Sequence, residues 1–178
     1  SQGDPSLPTD GATVTVTADV SDGETDAPPA NVDLSADFTA PTIAIDTVEA
    51  GGAALGAVMN IAESGENLSV SGTTTDAEAG QRVTVALDGE TFTTTTDGTD
   101  WSLTIANDDL PASLDGTQAN DGTNVTIEAT VEDIAGNPSN LAQEPFVTDF
   151  APPALTVNAL AIGDFLNPPY SRGCSEAA

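Results

Sequence analysis

Apolar and polar residues alternate along most of the chain in short runs rich in Thr, Val and Ile, and each run ends at Gly, Asp, Asn or Pro. A period of two is typical of β-strands that bury one face. Two motifs, LDGE at Leu87–Glu90 and TDGTDW at Thr96–Trp101, predict tight turns between such strands. Between residues 39 and 150 the pattern predicts seven strands, near 42–48, 68–74, 81–88, 91–96, 100–106, 123–132 and 140–148.

Seven short strands separated by regularly spaced turns predict an all-β, two-sheet antiparallel sandwich. In such a fold the inward positions of both sheets fill one core. Trp101 lies in a predicted strand among alternating apolar residues, so we expect a core residue rather than a platform for a ligand. The other predicted core residues are Val83, Val85, Leu103, Ile105, Val125, Ile127 and Val131.

The chain also contains an internal repeat. Asp10–Asp22 (DGATVTVTADVSD) aligns with Asp121–Asp133 (DGTNVTIEATVED). Asp37–Ile45 (DFTAPTIAI) aligns with Asp149–Val157 (DFAPPALTV), with one residue inserted between the two pairs of matching segments. A fixed period of about 111–112 residues predicts a tandem array of similar domains, in which each DF phrase joins one domain to the next.

The repeat divides the chain into four parts. The last part (PPYSRGCSEAA) does not follow the repeat pattern and holds the single cysteine. Loss of the pattern leaves two alternatives open for this part, a native segment and a foreign tail. Because the chain starts at Ser1 without a signal peptide, we expect an internal fragment of a longer protein. The parts are 1–38, the last two strands of a preceding repeat; 39–150, one complete repeat; 151–167, the start of a following repeat; and 168–178, the tail.

Charge narrows the range of partners. The chain has 2 Lys and Arg residues against 29 Asp and Glu, a formal net charge of −27. Such a chain repels nucleic acid and anionic membrane surfaces, because binding a polyanion requires basic side chains. It attracts hard cations such as calcium, which binds oxygen ligands from carboxylates and carbonyls. No apolar run is long enough for a transmembrane helix, so we expect no membrane insertion.

The missing residue types exclude most catalytic chemistry. The chain has no His and no Lys, so it can form neither a Ser-His-Asp site nor a Schiff base. A lone Cys174 supports neither an intrachain disulfide nor a zinc cluster. Carboxylate-pair chemistry such as glycoside hydrolysis survives, but no carboxylate is distinguishable as acid or nucleophile. We therefore expect a protein that is not an enzyme.

Three segments together resemble a known family: APTIAIDTV, then LSVSGTTTDAEAGQRVTVALDGETFTTTTDGTDWSLTI, then DGTNVTIEATVEDIAGNPS. They are similar to the bacterial immunoglobulin-like extender repeats of large surface adhesins, including repeats-in-toxin adhesins and biofilm-associated proteins. Departures are the Ala-Pro-Pro at 151–153 in place of Thr-Ala-Pro, and Asp22–Asn31 in place of the AGN turn of the complete repeat. The second departure weakens the expectation of calcium binding in that loop.

The resemblance implies a seven-stranded immunoglobulin-like β-sandwich in a secreted or cell-surface protein. It further implies a structural spacer that holds a ligand-binding tip away from the cell, stiffened by calcium at the junctions between neighbouring repeats. The alternative is a ligand-binding or carbohydrate-binding module, although the chain has few aromatic residues to stack on a sugar. A truncated hairpin at residues 12–37 would be either poorly ordered or packed against another copy.

Strand direction predicts where calcium would bind. If the strands alternate, the loops near 74–80, 97–100 and 133–139 meet at the end of the sandwich that holds the incoming linker. Carboxylates crowded there repel one another unless a cation intervenes. The preferred ligands are Asp37, Glu78, Asp133 and Asn137 with backbone carbonyls; Asp76 and Asp100 are further candidates, and Asp149 is the counterpart of Asp37 at the next junction.

Two simpler explanations of the acidic residues remain open at this point. They can be solvated surface loops, or they can reflect adaptation to a saline environment. Sequence motifs for other calcium sites are absent. Asp22, Glu24 and Asp26 alternate as in an EF-hand loop, but Ala27 stands where that loop needs glycine, and no GGxGxD repeat occurs.

Overall fold

A computed structural model of the chain describes residues 7–156. The predicted tail at 168–178 and the following repeat beyond residue 156 lie outside this range. The described part holds 3₁₀ turns at Glu63–Gly65, Asn107–Asp109, Ala112–Leu114 and Gln118–Asn120. Its strands are β1 (Thr13–Ala18), β2 (Ala30–Ser35), β3 (Thr42–Ile43), β4 (Thr47–Ala50), β5 (Ala53–Ala54), β6 (Val58–Asn60), β7 (Leu68–Thr75), β8 (Arg82–Leu87), β9 (Glu90–Thr95), β10 (Asp100–Ile105), β11 (Asn124–Val131) and β12 (Ala142–Asp149).

Strands β3 to β12 form two five-stranded sheets. One has the order β10-β7-β4-β5, with β3 also paired to β7, and the other has the order β6-β12-β11-β8-β9. The pairs are antiparallel except for β6 and β12, which run parallel. Buried residues from both sheets form a single core cluster. The prediction of an all-β, immunoglobulin-like antiparallel sandwich is confirmed.

Each of the seven predicted strands is present, but the predicted strand at 42–48 is interrupted. β3 pairs Ile43 with Thr74 of β7, whereas β4 pairs Thr47 with Ser71. The three residues 44–46 therefore lie opposite only two residues of β7, 72 and 73. One extra residue in a strand is a β-bulge, which bends the strand locally. β5 and β6 were not predicted from the sequence, because runs of two and three residues are too short to show an alternating pattern.

The core centres on Trp101, which is 3% exposed and donates its indole N–H to the carbonyl oxygen of Ala44 at 3.2 Å. Its prediction as a core residue is confirmed. The other predicted core residues are also buried, except Leu103, which is partly buried. Large buried residues that the sequence analysis did not name include Met59, Leu68, Val70, Leu114, Phe146 and Phe150.

The LDGE motif forms the predicted tight turn between β8 and β9. Asp88 and Gly89 have φ angles of 46° and 86°. Two successive positive φ angles are the mark of a type I′ turn, whose twist matches that of the flanking strands. The turn places Asp88 and Glu90 at the end of the sandwich opposite the incoming linker.

Strands β1 and β2 form a separate two-stranded sheet with the register of β11 and β12. Val14 pairs with Leu34, as Val125 pairs with Phe146 at the corresponding repeat positions. Burial differs sharply: Val16 is 53% exposed, whereas its counterpart in β11, Ile127, is fully buried. One face of the hairpin is therefore apolar and open to solvent over the described residues.

Candidate functional site

Three loops lie beside the incoming linker at one end of the sandwich. The pairings of Thr42 with Thr75, of Arg82 with Thr95 and of Val131 with Val83 bring the corresponding strand ends together. The loops at 76–81, 96–99 and 132–141 therefore lie at the end where Pro41 enters the domain. Loop placement agrees with the alternation of strand direction from which it was predicted.

Asp37, Asp76 and Glu78 line one open depression of about 350 Å³, together with Thr39 and Ala77. Asp37 belongs to the linker, and the other two acidic residues belong to the loop between β7 and β8. Asp76 has a φ of 60°, a left-handed conformation that is uncommon outside glycine and tolerated best by Asp and Asn. Linker and loop carboxylates therefore border the same solvent-filled space.

Asp133 organises the loop between β11 and β12. Its carboxylate accepts the Asn137 backbone N–H through Oδ1 and the Asn137 side-chain N–H through Oδ2, both at 2.8 Å. The Asp133 N–H donates to the Asn137 carbonyl at 3.2 Å, and Gly136 supplies a φ of 88° that closes the loop. Both oxygens of a carboxylate on a residue that is 4% exposed are thus used within its own loop.

The same loop contacts the linker and the acidic loop. Asn137 donates a side-chain N–H to the Asp37 carbonyl oxygen at 3.2 Å. The Ile134 backbone N–H donates to Glu78 Oε2 at 2.9 Å. Hydrogen bonds therefore connect Asn137 to both Asp37 and Asp133, and Glu78 is bonded to Ile134, the residue after Asp133. The four residues predicted as preferred ligands are here called the junction cluster: Asp37, Glu78, Asp133 and Asn137.

Hydrogen bonds lower the pKa of the Asp133 carboxyl group although the residue is buried. Burial raises the pKa of its carboxyl group, and this is the largest single effect. The side chain of Asn137 and the backbone N–H groups of Asn137, Gly136 and Ala135 together outweigh burial and lower the pKa below 3.8. Asp133 is consequently ionised at neutral pH and stabilised by donors from its own chain.

Asp100 lies apart from the junction cluster. It lines a second depression of about 500 Å³, which also includes Asp46 and Asp97. Asp97 Oδ1 accepts the backbone N–H groups of Thr99 and Asp100 at 2.9 and 2.8 Å. The Thr99 hydroxyl lies 3.0 Å from that oxygen and 3.1 Å from Asp100 Oδ2. The structure therefore gathers Asp76 with the cluster but not Asp100.

Asp149 is exposed at the last position of β12, at the opposite end of the domain. Nearby, the carboxylate of Asp121 accepts backbone N–H groups from the outgoing linker, and Asp10 accepts one from the linker ahead of the complete repeat. The sequence pattern alone gave neither aspartate a role. A signal was present, since Asp10–Gly11 and Asp121–Gly122 precede the phrases at Asp37 and Asp149 by nearly the same spacing.

The junction cluster offers oxygen atoms of the kind that a hard cation binds, but its side chains are not assembled into a metal-binding group. Over residues 7–156 no group of three or more acidic side chains is assembled to hold a metal ion. Within that range, Asp37 Oδ2, Glu78 Oε1 and the Asp76 carboxylate accept no hydrogen bond from the protein. Carboxylate oxygens of this kind are the ligands that calcium prefers. Each oxygen of Asp133 already accepts a hydrogen bond within its own loop, which leaves fewer lone pairs for an ion than the other carboxylates have.

The fold of residues 7–156 defines a class of protein: an all-β, immunoglobulin-like sandwich with acidic loops at the end where the incoming linker enters. Over the described residues, no helix has the length and apolar character needed to cross a membrane. No protein-family model and no curated protein matches the chain.

Solved structures give the family. The chain is 32% identical to a bacterial immunoglobulin-like domain from the M. primoryensis ice-binding adhesin; the match covers 63% of this chain and 99% of that domain, with a TM-score of 0.39. That sequence identity over the whole domain shows that the chain belongs to the family of bacterial immunoglobulin-like domains. The family resemblance drawn from the sequence is confirmed.

Two longer adhesin structures are also similar. One is a Ca²⁺-stabilised adhesin with which an Antarctic bacterium binds ice; it is 26% identical over 77% of this chain and 32% of that chain, with a TM-score of 0.42. The other is a tetra-tandem repeat from the extending region of a large adhesion protein, 24% identical over 75% of this chain and 31% of that chain, with a TM-score of 0.42. The chain thus spans about a third of the length of either structure.

Proposed function

We propose that the chain is part of the extender region of a secreted or cell-surface bacterial adhesin, and that it acts as a non-catalytic structural spacer. One observation carries the proposal: a complete sandwich lies between two copies of the same linker phrase, one entering at Asp37 and one leaving at Asp149. These linkers lie at opposite ends of the domain, as a domain that extends a chain requires. The partners are the neighbouring repeats of the same polypeptide.

The domain boundaries follow from the same repeat. We assign 39–150 to one complete repeat and 1–38 to the last two strands of a preceding one, since β1 and β2 have the register of β11 and β12. Residues 151–167 begin a following repeat. A carbohydrate-binding role has little support here, because the single tryptophan is buried and unavailable for stacking on a sugar.

Calcium at the junction is the second part of the proposal. An ion in the depression beside Asp37 would take carboxylate oxygens from Asp76 and Glu78, with the Asp133–Asn137 loop completing or supporting the shell. Linker and loop would then be bound to one ion, which limits bending between neighbouring repeats. Asp149 would take the part of Asp37 at the next junction. A net charge of −27 favours cation binding at either end.

Calorimetric titration with calcium tests this part directly. The unmodified chain should bind calcium, and its melting temperature should rise in calcium and fall in EDTA, because a ligand that binds only the folded state stabilises it. The variant Asp37→Ala should lose one binding event while the sandwich stays folded. Asp108→Ala removes an equal charge from the far end and should leave the stoichiometry unchanged. Identical calcium binding by the Asp37 variant would reject the assigned site.

A further inference from the structure

Asp10 holds the linker where it leaves the N-terminal hairpin. Its Oδ1 accepts the Phe38 backbone N–H at 2.7 Å, and its Oδ2 accepts the Thr39 hydroxyl at 2.6 Å. Asp10 is followed by Gly11, which has a φ of 73° and donates its N–H to the Ala36 carbonyl at 2.8 Å. An Asp-Gly turn thus contacts both the end of the hairpin and the first linker residues.

The same arrangement recurs at the end of the complete domain. Asp121 Oδ1 accepts the backbone N–H groups of Phe150 and Ala151 at 2.7 and 3.1 Å. Gly122 has a φ of 72° and donates to the Thr148 carbonyl at 2.9 Å. The two turns occupy equivalent positions of the repeat, so the geometry belongs to the repeat and not to one accidental loop.

The following domain holds the other side of the first linker. The Asn137 side chain donates to the Asp37 carbonyl, and Pro41 is fully buried in the sandwich. Between these points, the Thr39 N–H donates to Asp37 Oδ1 at 3.1 Å. Backbone or side-chain groups of three consecutive linker residues, 37–39, are therefore engaged by protein groups alone.

We infer that the two turns Asp10–Gly11 and Asp121–Gly122 are linker clamps, hydrogen-bonded devices that fix the direction in which the chain leaves a domain without any metal ion. A carboxylate that accepts backbone N–H groups forms stronger hydrogen bonds than a neutral acceptor does. The first clamp has a hydroxyl partner in Thr39, whereas the second has Ala151 at that position and uses a second N–H instead. The contribution of the clamp to extension of an array rests on the spacer function proposed above.

Amide hydrogen exchange in EDTA measures the clamps in the full chain without calcium. Replacement of Asp10 by Ala should accelerate exchange of the Phe38 amide roughly tenfold, as expected for loss of one charge-assisted hydrogen bond. The Phe150 amide should be unaffected. Asp121→Ala should accelerate exchange of the Phe150 amide and leave the Phe38 amide unaffected, so each variant serves as the control for the other. Unchanged exchange at Phe38 in Asp10→Ala would overturn the inference.

A second measurement follows the orientation of the hairpin. Spin labels at Thr17→Cys and Thr93→Cys, with Cys174→Ser, report the distance between hairpin and sandwich. In EDTA the distribution should be narrow and should broaden in Thr39→Val, which removes one clamp partner but leaves the Asp10 turn intact. Thr13→Val is the matched control on the hairpin. An equally broad distribution in the unmodified chain, narrowed only by calcium, would refute the clamp while supporting the junctional ion.

Discussion

Among the glycines of the described residues, Gly72 is the one with the least room for a side chain. It lies in β7 opposite the bulge, where a Cβ would overlap the carbonyl oxygen of Ala44 and lie 2.8 Å from Trp101 Nε1. Neither neighbour is the mobile end of a flexible side chain. Gly72→Ala should therefore lower the free energy of unfolding by about 1–3 kcal/mol, the usual cost of overpacking. Urea unfolding followed by tryptophan fluorescence measures it. Gly56→Ala, in open space, should cost nothing; equal losses in both variants would contradict the packing argument.

Asp133 makes the stability of the fold depend on pH. Because its pKa in the folded state lies below 3.8, its contribution to stability is present above that value and is lost as the pH falls through the folded pKa. In EDTA, Asp133→Ala should destabilise the domain at neutral pH, and the difference from the unmodified chain should shrink as the carboxyl group becomes protonated in acid. Unfolding curves across this range test it. A difference that stays constant with pH would show that the carboxylate charge is not involved; Asp108→Ala is the charge-matched control.

Elements differ in how much of them the sequence reveals. β8 and β11 show alternating apolar residues over six and eight positions, so the pattern identifies them without knowledge of the partner strand. The bulge between β3 and β4 depends on pairing with β7, a strand far along the chain, which local periodicity does not encode. β6 exists because β12 offers it an edge, and three residues alone would not predict it.

The N-terminal hairpin is the element whose environment is incomplete. Its apolar face includes Val16 and Leu34, which are 53% and 55% exposed, and such a face favours association with another apolar surface. We expect the chain to self-associate at high concentration through this face. The double variant Val16→Thr, Leu34→Thr should weaken association at least about tenfold, because apolar surface no longer leaves water. The double variant Thr13→Ser, Ser35→Thr on the polar face is the control. Sedimentation showing a monomer at every concentration would disprove it.

At the scale of the whole molecule, topology predicted which loops meet at one end of the sandwich better than it predicted which side chains lie together there. Alternating strand direction was enough to place Asp37 beside Glu78 and the Asp133 loop. It could not separate Asp100 from that cluster, because the side on which a loop carboxylate lies depends on the turn geometry around Asp97. The roles of Asp10 and Asp121 likewise depend on turn conformation, which places a carboxylate against backbone N–H groups that no pattern of residue types reveals.

The length of a tandem array depends on how stiff the junctions between its repeats are. A domain with strands of six to eight residues plus loops and a linker would extend the chain by roughly 40 Å per repeat.

Small-angle scattering from four complete repeats should show a rod in calcium. In EDTA at low salt, repulsion between acidic repeats also extends the chain, so the comparison requires about 0.15 M KCl, where charges beyond about 8 Å are screened. Under that condition, EDTA should shorten the maximum dimension only modestly, because the repeats bend more when the linker clamps alone hold each junction. Replacing the Asp37 equivalent by Ala at every junction should give the same shorter dimension with calcium present. If the array were equally extended with calcium, with EDTA and in the variant, the linker clamps alone would account for its stiffness and the ion would have no mechanical part.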